Sequence, residues 1–581
     1  MNRSFLNFGC LKIDHKSSLS SQTWIYEAIS LQILKLEIKG TVIRGGGAAV
    51  KGIGSNLYHD RIKPAPVSVG ENASRAVPSL TRGARSRDFV TKPDWRQIFP
   101  VALILMLIPI WNGFPLLYED TAAYISRPAK VIGPMIGDRS PDWIEPASRN
   151  TGTPPTASGP VAAMDVSEED DTWMAGRSVY WGTAAYLTTL LAGPFGVVLL
   201  SAFLVAITLT ITWFKIIGRT SARELWVVAA ALSLATPLGV FVGLMTPDAL
   251  SGVFVVALAG LATRWDTLSR IERAALLAIA CFAALSHDSI VAMSALLLPL
   301  AAVALWFISK RPRPSKAAAC GLLATPLLVG ILGAVVFHAA AIQATGKPPL
   351  RMSFLSAHIA HTEFGARAIR VQCKERSFEI CKHTDKFPVE WTSFLFDRDP
   401  ETGVFGPATL EEKRRLNEEQ ADLMVGAIMR YPFPALEHFA GDVYKQLATF
   451  DLSDVRQARK AATFERMFAP SLLGSWQDSR LAKNDAVISA VGTLTYLVVF
   501  IGLIAVPFLA RGKAAGSGQF HAVSIFVGLI FVGIFANAIV SGIMASPWGR
   551  FEARLIWLVP FSAFALWAVS GSRHKKDKVC A

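Results

Sequence analysis

Charge is scarce in this chain. Only 18% of its 581 residues are Asp, Glu, Lys or Arg, against 52% hydrophobic, and the mean hydropathy is +0.38. A large soluble globule needs more polar residues to cover its surface, so the composition fits a polytopic membrane protein. Cysteine is sparse too: Cys10, Cys281, Cys320 and Cys580 are scattered singly, and no CxxC or His-x-x-x-His pair occurs. That argues against a structural zinc site. Cys373 and Cys381 alone lie close together in a polar stretch. They either close a short disulfide loop in an oxidising compartment or remain two free thiols. No internal repeat is visible, which weakens the case for a secondary transporter built from duplicated halves. The basic, Gly-, Ser- and Pro-rich residues 1–96 lack the compact apolar region and cleavage site of a signal peptide. They read as a disordered cytoplasmic leader, or as residues upstream of the true start, with a weak amphipathic stretch at 24–38.

What is abundant is apolar sequence in long runs. Runs at 99–117, 193–214, 225–244, 248–263, 274–285, 290–308, 317–342, 486–509, 522–545 and 553–570 predict about ten transmembrane helices. The net charge of +14 falls largely between these runs. It therefore speaks for membrane orientation and against nucleic-acid binding. Basic groups recur at Lys215, Arg219 and Arg223, at Arg270 and Arg273, at Lys310, Arg311 and Arg313, and at Arg511 and Lys513. The loops at 245–251 and 286–288 carry no Lys or Arg, so both termini are expected in the cytoplasm. The expected organisation is a leader (1–96), seven spans (97–342) with a long first outer loop (118–192), a mainly helical outer domain (343–485), three more spans (486–572) and a basic tail (573–581). Within the outer domain, amphipathic stretches at 410–429 and 436–450 flank a helix-breaking hinge, Tyr431-Pro432-Phe433-Pro434.

In that topology several polar motifs converge on the outer face. Tyr118-Glu119-Asp120-Thr121 follows the first span directly. Charge beside about 30 Å of hydrocarbon is costly to place, which makes Asp120, with Glu119 as helper, a candidate reaction centre. Asp120 could take a proton from a sugar hydroxyl. Arg550 and Arg554 are spaced i, i+4, so both project from one helical face and could grip a lipid phosphate or pyrophosphate; snorkelling or pairing with Glu552 is the plain alternative. Thr246-Pro247-Asp248 could add a binding carboxylate or simply cap a helix. His287 and Asp288 could orient a substrate or mark a polar kink. Arg177 and Tyr180, in Gly176-Arg177-Ser178-Val179-Tyr180, could bind a sugar or phosphate or act as interfacial anchors.

These motifs, together with Gly549-Arg550-Phe551-Glu552-Ala553-Arg554, resemble polytopic glycosyltransferases of the GT-C fold class over about residues 93–570. More narrowly they resemble an uncharacterised bacterial branch with the Cys373/Cys381 pair and Phe394-Leu395-Phe396-Asp397. The resemblance implies an all-α, GT-C-like fold and an inverting transfer from a polyprenyl-phosphate-linked sugar. It places that transfer at the outer face of the bacterial inner membrane, with Asp120 as base or acceptor-positioning group. The acceptor is left open among envelope lipid, polysaccharide and protein. Asp120 and Asp248 could share a divalent cation, or neither could bind one. A flippase for the same lipid and a non-catalytic envelope assembly protein are the competing readings.

Overall fold

The computed structural model describes residues 95–132, 173, 175–310, 312–511 and 518–570. Most of the leader, most of the Pro/Gly-rich part of the first outer loop, and the basic tail lie outside the described residues. Within them the protein is helical, with no named strand and only isolated bridge residues, among them the parallel pair Leu116 and Leu244. Among the described residues, six helices are long and apolar enough to cross a membrane: Phe195–Ile216, Asp288–Ile308, Arg313–Thr345, Ala486–Ala510, Gly518–Met544 and Gly549–Ser570. The protein is therefore an all-α protein of membrane-embedded type.

The remaining expected spans are shorter or broken, and the residues show why. The run at 99–117 is helical only to Asn112, because Gly113 adopts a left-handed conformation (φ 84°), and residues 114–118 are not helical. The run at 225–244 divides at Thr236-Pro237 into helices Ala222–Ala235 and Leu238–Gly243. The run at 274–285 is the core of a 17-residue helix, Arg270–Ser286, opened by a Ser269/Glu272 capping box. Helix Ala249–Arg264 has 16 residues, about 24 Å at 1.5 Å per residue. All of its residues from Ala249 to Thr263 are buried, so it forms the bundle interior and faces no lipid.

The two non-helical segments left by these breaks lie side by side. Leu116 N–H donates to the Gly243 carbonyl (2.8 Å), and Met245 N–H donates to the Leu116 carbonyl (3.1 Å). This pairing brings Tyr118-Glu119-Asp120 and Thr246-Pro247-Asp248 to one end of the bundle.

The expected outer domain divides in two. Residues 350–439 build their own core around Ile369, Phe394, Leu416 and Leu423, and the Cys373–Cys381 disulfide is formed at its edge. Its long helices are Leu410–Arg430, opened by a Thr409/Glu412 capping box, and Pro432–Ala448, with proline in its first turn. Residues 450–481 instead pack into the bundle core through Phe450, Phe464, Trp476 and Leu481.

Two glutamines stitch these layers to the bundle end. The Gln457 amide accepts from Leu117 N–H and donates to the Leu117 carbonyl, each at 3.0 Å, and Trp476 Nε1 also donates to it (3.1 Å). Gln446 clamps Trp548 in the same way, donating to its carbonyl and accepting from its N–H, both at 2.9 Å. Substituting Gln457→Leu strands a buried N–H and a buried carbonyl, each costing about 1–3 kcal/mol. The expected outcome is a clear loss of thermal stability in detergent, read by unfolding of purified protein; an unchanged midpoint would show that the clamp contributes nothing.

Candidate functional site

The residues beyond these clamps meet in one ionic cluster. Arg550 stands in the first turn of helix Gly549–Ile556, whose entry is tight: a Cβ on Gly549 would collide with the Asp451 carboxylate and lie 2.9 Å from the Asp451 carbonyl. Arg550 Nη2 donates to Asp248 Oδ2 at 2.7 Å, and Nη1 lies 3.9 Å from Asp120 Oδ2. Its guanidinium is 3.7 Å from the centre of the Tyr118 ring, a cation–π contact. Burial pushes the Tyr118 phenol up to about 12, with Arg550 opposing, so the ring facing the cation is neutral.

Arg554, one turn deeper, donates through Nη2 to Asn537 Oδ1 (2.8 Å) and Ser289 Oγ (3.0 Å), while Nη1 lies 3.9 Å from Asp248 Oδ1. Glu552 is not its hydrogen-bond partner; Asn537 Nδ2 donates to Glu552 Oε2 at 2.9 Å. The i, i+4 arginines thus converge on Asp248. That carboxylate makes no cap bond to its own helix and accepts from Thr246 Oγ1 at 2.5 Å. Asp248 is 1% exposed, so it acts beneath the arginines, holding them.

Asp120 forms the open side of the cluster. Its side chain is 20% exposed, Arg177 donates to its Oδ1, and Arg550 faces its Oδ2. Glu119 is paired with Lys460 Nζ at 2.6 Å and is 37% exposed, on the rim. Exposed pairs of this kind contribute little to stability.

The other expected residues divide. His287 caps helix Asp288–Ile308, its Nδ1 accepting from Ser289 N–H at 3.2 Å, and so lies beside the Arg554 partner Ser289. Asp288 is exposed and forms no ion pair with these arginines. The Tyr180 hydroxyl donates to the Gly333 carbonyl at 2.8 Å, tying its helix to Thr325–Thr345. The Arg550 guanidinium faces both carboxylates, Asp120 and Asp248.

Four groups of the site went unrecognised in the sequence. Asn537 had a signal, an amide far inside the apolar helix Gly518–Met544, whose other amide, Gln519, stands in the first turn. Ser289, Lys460 and Asp454 had none, since Lys460 meets Glu119 only across 341 residues.

The arrangement offers cationic donors in excess of their acceptors. Nε of Arg177, Nε of Arg550, and Nε and Nη1 of Arg554 are buried without a hydrogen-bond partner. Leaving buried charged donors unpaired is costly, so such positions call for a further partner, whether water or a ligand. Three guanidiniums beside a partly exposed carboxylate can bind a phosphate-bearing molecule and place a hydroxyl against Asp120.

Asp454 lies within electrostatic range of Arg550, Lys460, Asp451 and Glu119. Burial pushes its carboxyl from 3.8 up to about 6, with Lys460 and Arg550 opposing. Between those values the unfolded chain releases a proton that the folded chain keeps, so stability falls as pH rises through the window and is not restored above it. Replacing Asp454→Asn should flatten that fall between roughly pH 4 and pH 7, measured by thermal unfolding in detergent. An equal fall in the variant would assign it to other groups. No family model matches the chain, and neither a curated protein nor a solved structure matches it, so the functional reading rests on this geometry.

Proposed function

We propose that this protein is an integral-membrane, GT-C-type inverting glycosyltransferase. It moves a sugar from a polyprenyl-phosphate-type lipid to an envelope lipid, polysaccharide or protein at the outer face of the bacterial inner membrane. The observation that carries the reading is the set of buried guanidinium donors without hydrogen-bond partners on Arg177 and Arg550, which face the partly exposed Asp120, and on Arg554, which faces Asp248 beside them.

The chemistry follows from their placement. The acceptor hydroxyl approaches Asp120, which takes its proton as the oxygen attacks the anomeric carbon. The bond from that carbon to the phosphate oxygen breaks, and the arginines stabilise the negative charge left on the departing phosphate. Tyr118 and Asp248 keep Arg550 oriented while it does so. Glu119 and Lys460, paired at the rim, border the approach to Asp120.

One observation favours transport of the same lipid. Glu552 is fully buried within the Gly549–Ser570 segment, with Oε1 lacking a hydrogen-bond partner, and a buried carboxylate there could couple to protons. Transfer chemistry separates the two readings.

In a deletion strain, mass spectrometry of envelope lipids and polysaccharides should show a lost sugar restored by wild type and not by Asp120→Asn at matched membrane abundance. With purified protein, Asp120→Asn should slow transfer by about 10²- to 10⁴-fold while leaving lipid binding in place. Normal product formation by that variant would remove Asp120 as base. Arg550→Lys keeps a cation against Asp248 but loses the fork, so it should weaken use of the lipid donor, seen as a raised KM. An unchanged glycan profile with lipid movement retained would favour transport.

A further inference from the structure

Away from the ionic cluster, helix Pro432–Ala448 presents His438 and Asp442 on one face, spaced i, i+4. Helix Phe354–Ala360 brings His358 against them. His438 Nε2 lies 3.0 Å and His358 Nε2 3.6 Å from the same Asp442 oxygen, Oδ2, and the three ligand atoms all fall within 4.8 Å of one another. The His438 ring is within hydrogen-bond distance of Asp442, and the buried His358 ring faces the Ala545 backbone. Lys445 occupies the other Asp442 oxygen at 3.3 Å, leaving Oδ2 to the imidazoles.

We infer that His358, His438 and Asp442 form a zinc site. Donors each 2.0–2.1 Å from a tetrahedral zinc stand about 3.3 Å apart, and the two separations to Asp442 Oδ2 bracket that value. The donor set, two imidazoles and one carboxylate, is the type that suits zinc and leaves a fourth position for water or a ligand. His438 also lines an open surface depression of about 460 Å³ bordered by His361, Glu363, Phe364, Glu437 and Lys445.

The site is supported by its frame. Phe439 stacks on the His358 ring at 5.7 Å, and Phe364 packs against both His438 and Phe439. Helix Pro432–Ala448 approaches Gly542 so closely that a Cβ there would lie 3.1 Å from Val443 N and 3.2 Å from the Asp442 carbonyl. Asp442 and His438 are thus held in place by the end of a long apolar helix.

The test uses the full-length protein in detergent, stripped with a chelator, passed through a desalting column and titrated with zinc against a chromophoric competitor. One zinc per chain is expected in wild type. His438→Gln, Asp442→Asn and His358→Gln should each weaken binding by at least about 100-fold, since loss of an outer-shell partner alone costs 10- to 100-fold. His438 is the most exposed of the three, so its variant carries the test if His358→Gln does not fold. Cobalt in place of zinc should give the visible absorption of a tetrahedral centre in wild type and lose it in His438→Gln. Substoichiometric binding by folded wild type, or equal affinity in a folded His438→Gln, would reduce the cluster to a hydrogen-bonded network and overturn the assignment.

Discussion

The Asp248 carboxylate and the two arginines that meet it are the constraint on which this end of the protein depends. An ion taken out of water costs several kcal/mol, and attraction offsets that only where partners are close and well oriented. Asp248 is 1% exposed, with Arg550 at 2.7 Å and Arg554 at 3.9 Å. Holding both arginines against it requires the start of helix Ala249–Arg264, the entry of Gly549–Ile556, Ser289 at the start of Asp288–Ile308 and Asn537 of Gly518–Met544 to converge. The cost of burying these charges is thereby turned into a fixed geometry. Arg550 cannot relax toward solvent without abandoning a buried carboxylate, and so its Nη1 stays aimed toward Asp120.

Position along the chain is controlled just as closely at the two segments that carry the reactive groups. Leu117 precedes Asp120 by three residues and Trp548 precedes Arg550 by two, and each has its backbone N–H and carbonyl paired to one glutamine amide. A side-chain amide that both donates and accepts reproduces a sheet-like pairing without a strand, satisfying backbone groups that a helix break has left free. These breaks bring acids and arginines together. Had residues 99–117 continued as one helix, Leu116 could not have paired with Gly243 and Met245, and Asp120 would not have reached Arg550.

Much of the site was legible because its members carry charge beside apolar runs. Asp120, Asp248, Arg550 and Arg554 stand out for that reason, and the i, i+4 spacing of the arginines correctly places them on one face. Legibility ended where meaning depends on distant partners. Nothing near Tyr180 shows that its hydroxyl is spent on Gly333, and nothing near Lys460 shows that it faces Glu119. The fold divides similarly. Apolar runs identify the long helices, but hydropathy does not register that Gly113 and Thr236-Pro237 interrupt two of them, or that helix Ala249–Arg264 is enclosed by protein. The polar region at 343–485 reads as one unit because no long apolar run divides it. It separates in space because Phe464 and Trp476 find the bundle core while Phe394 and Leu423 find each other.

The His358–His438–Asp442 cluster and the ionic cluster are linked through one helix. Asp442 and Gln446 lie one turn apart on Pro432–Ala448, so the face that gathers the imidazoles continues into the amide that clamps Trp548. Trp548 also packs edge-on against Trp391 at 5.0 Å, joining the clamp to the 350–439 core. Arg550 follows two residues later. A displacement of this helix by even an ångström would lengthen both Gln446 bonds beyond useful geometry and release the entry to Gly549–Ile556. The position of Arg550 against Asp120 and Asp248 is therefore set from two sides: from within the bundle by charge, and from the polar layer by a helix whose register is fixed where His438 and Asp442 meet His358.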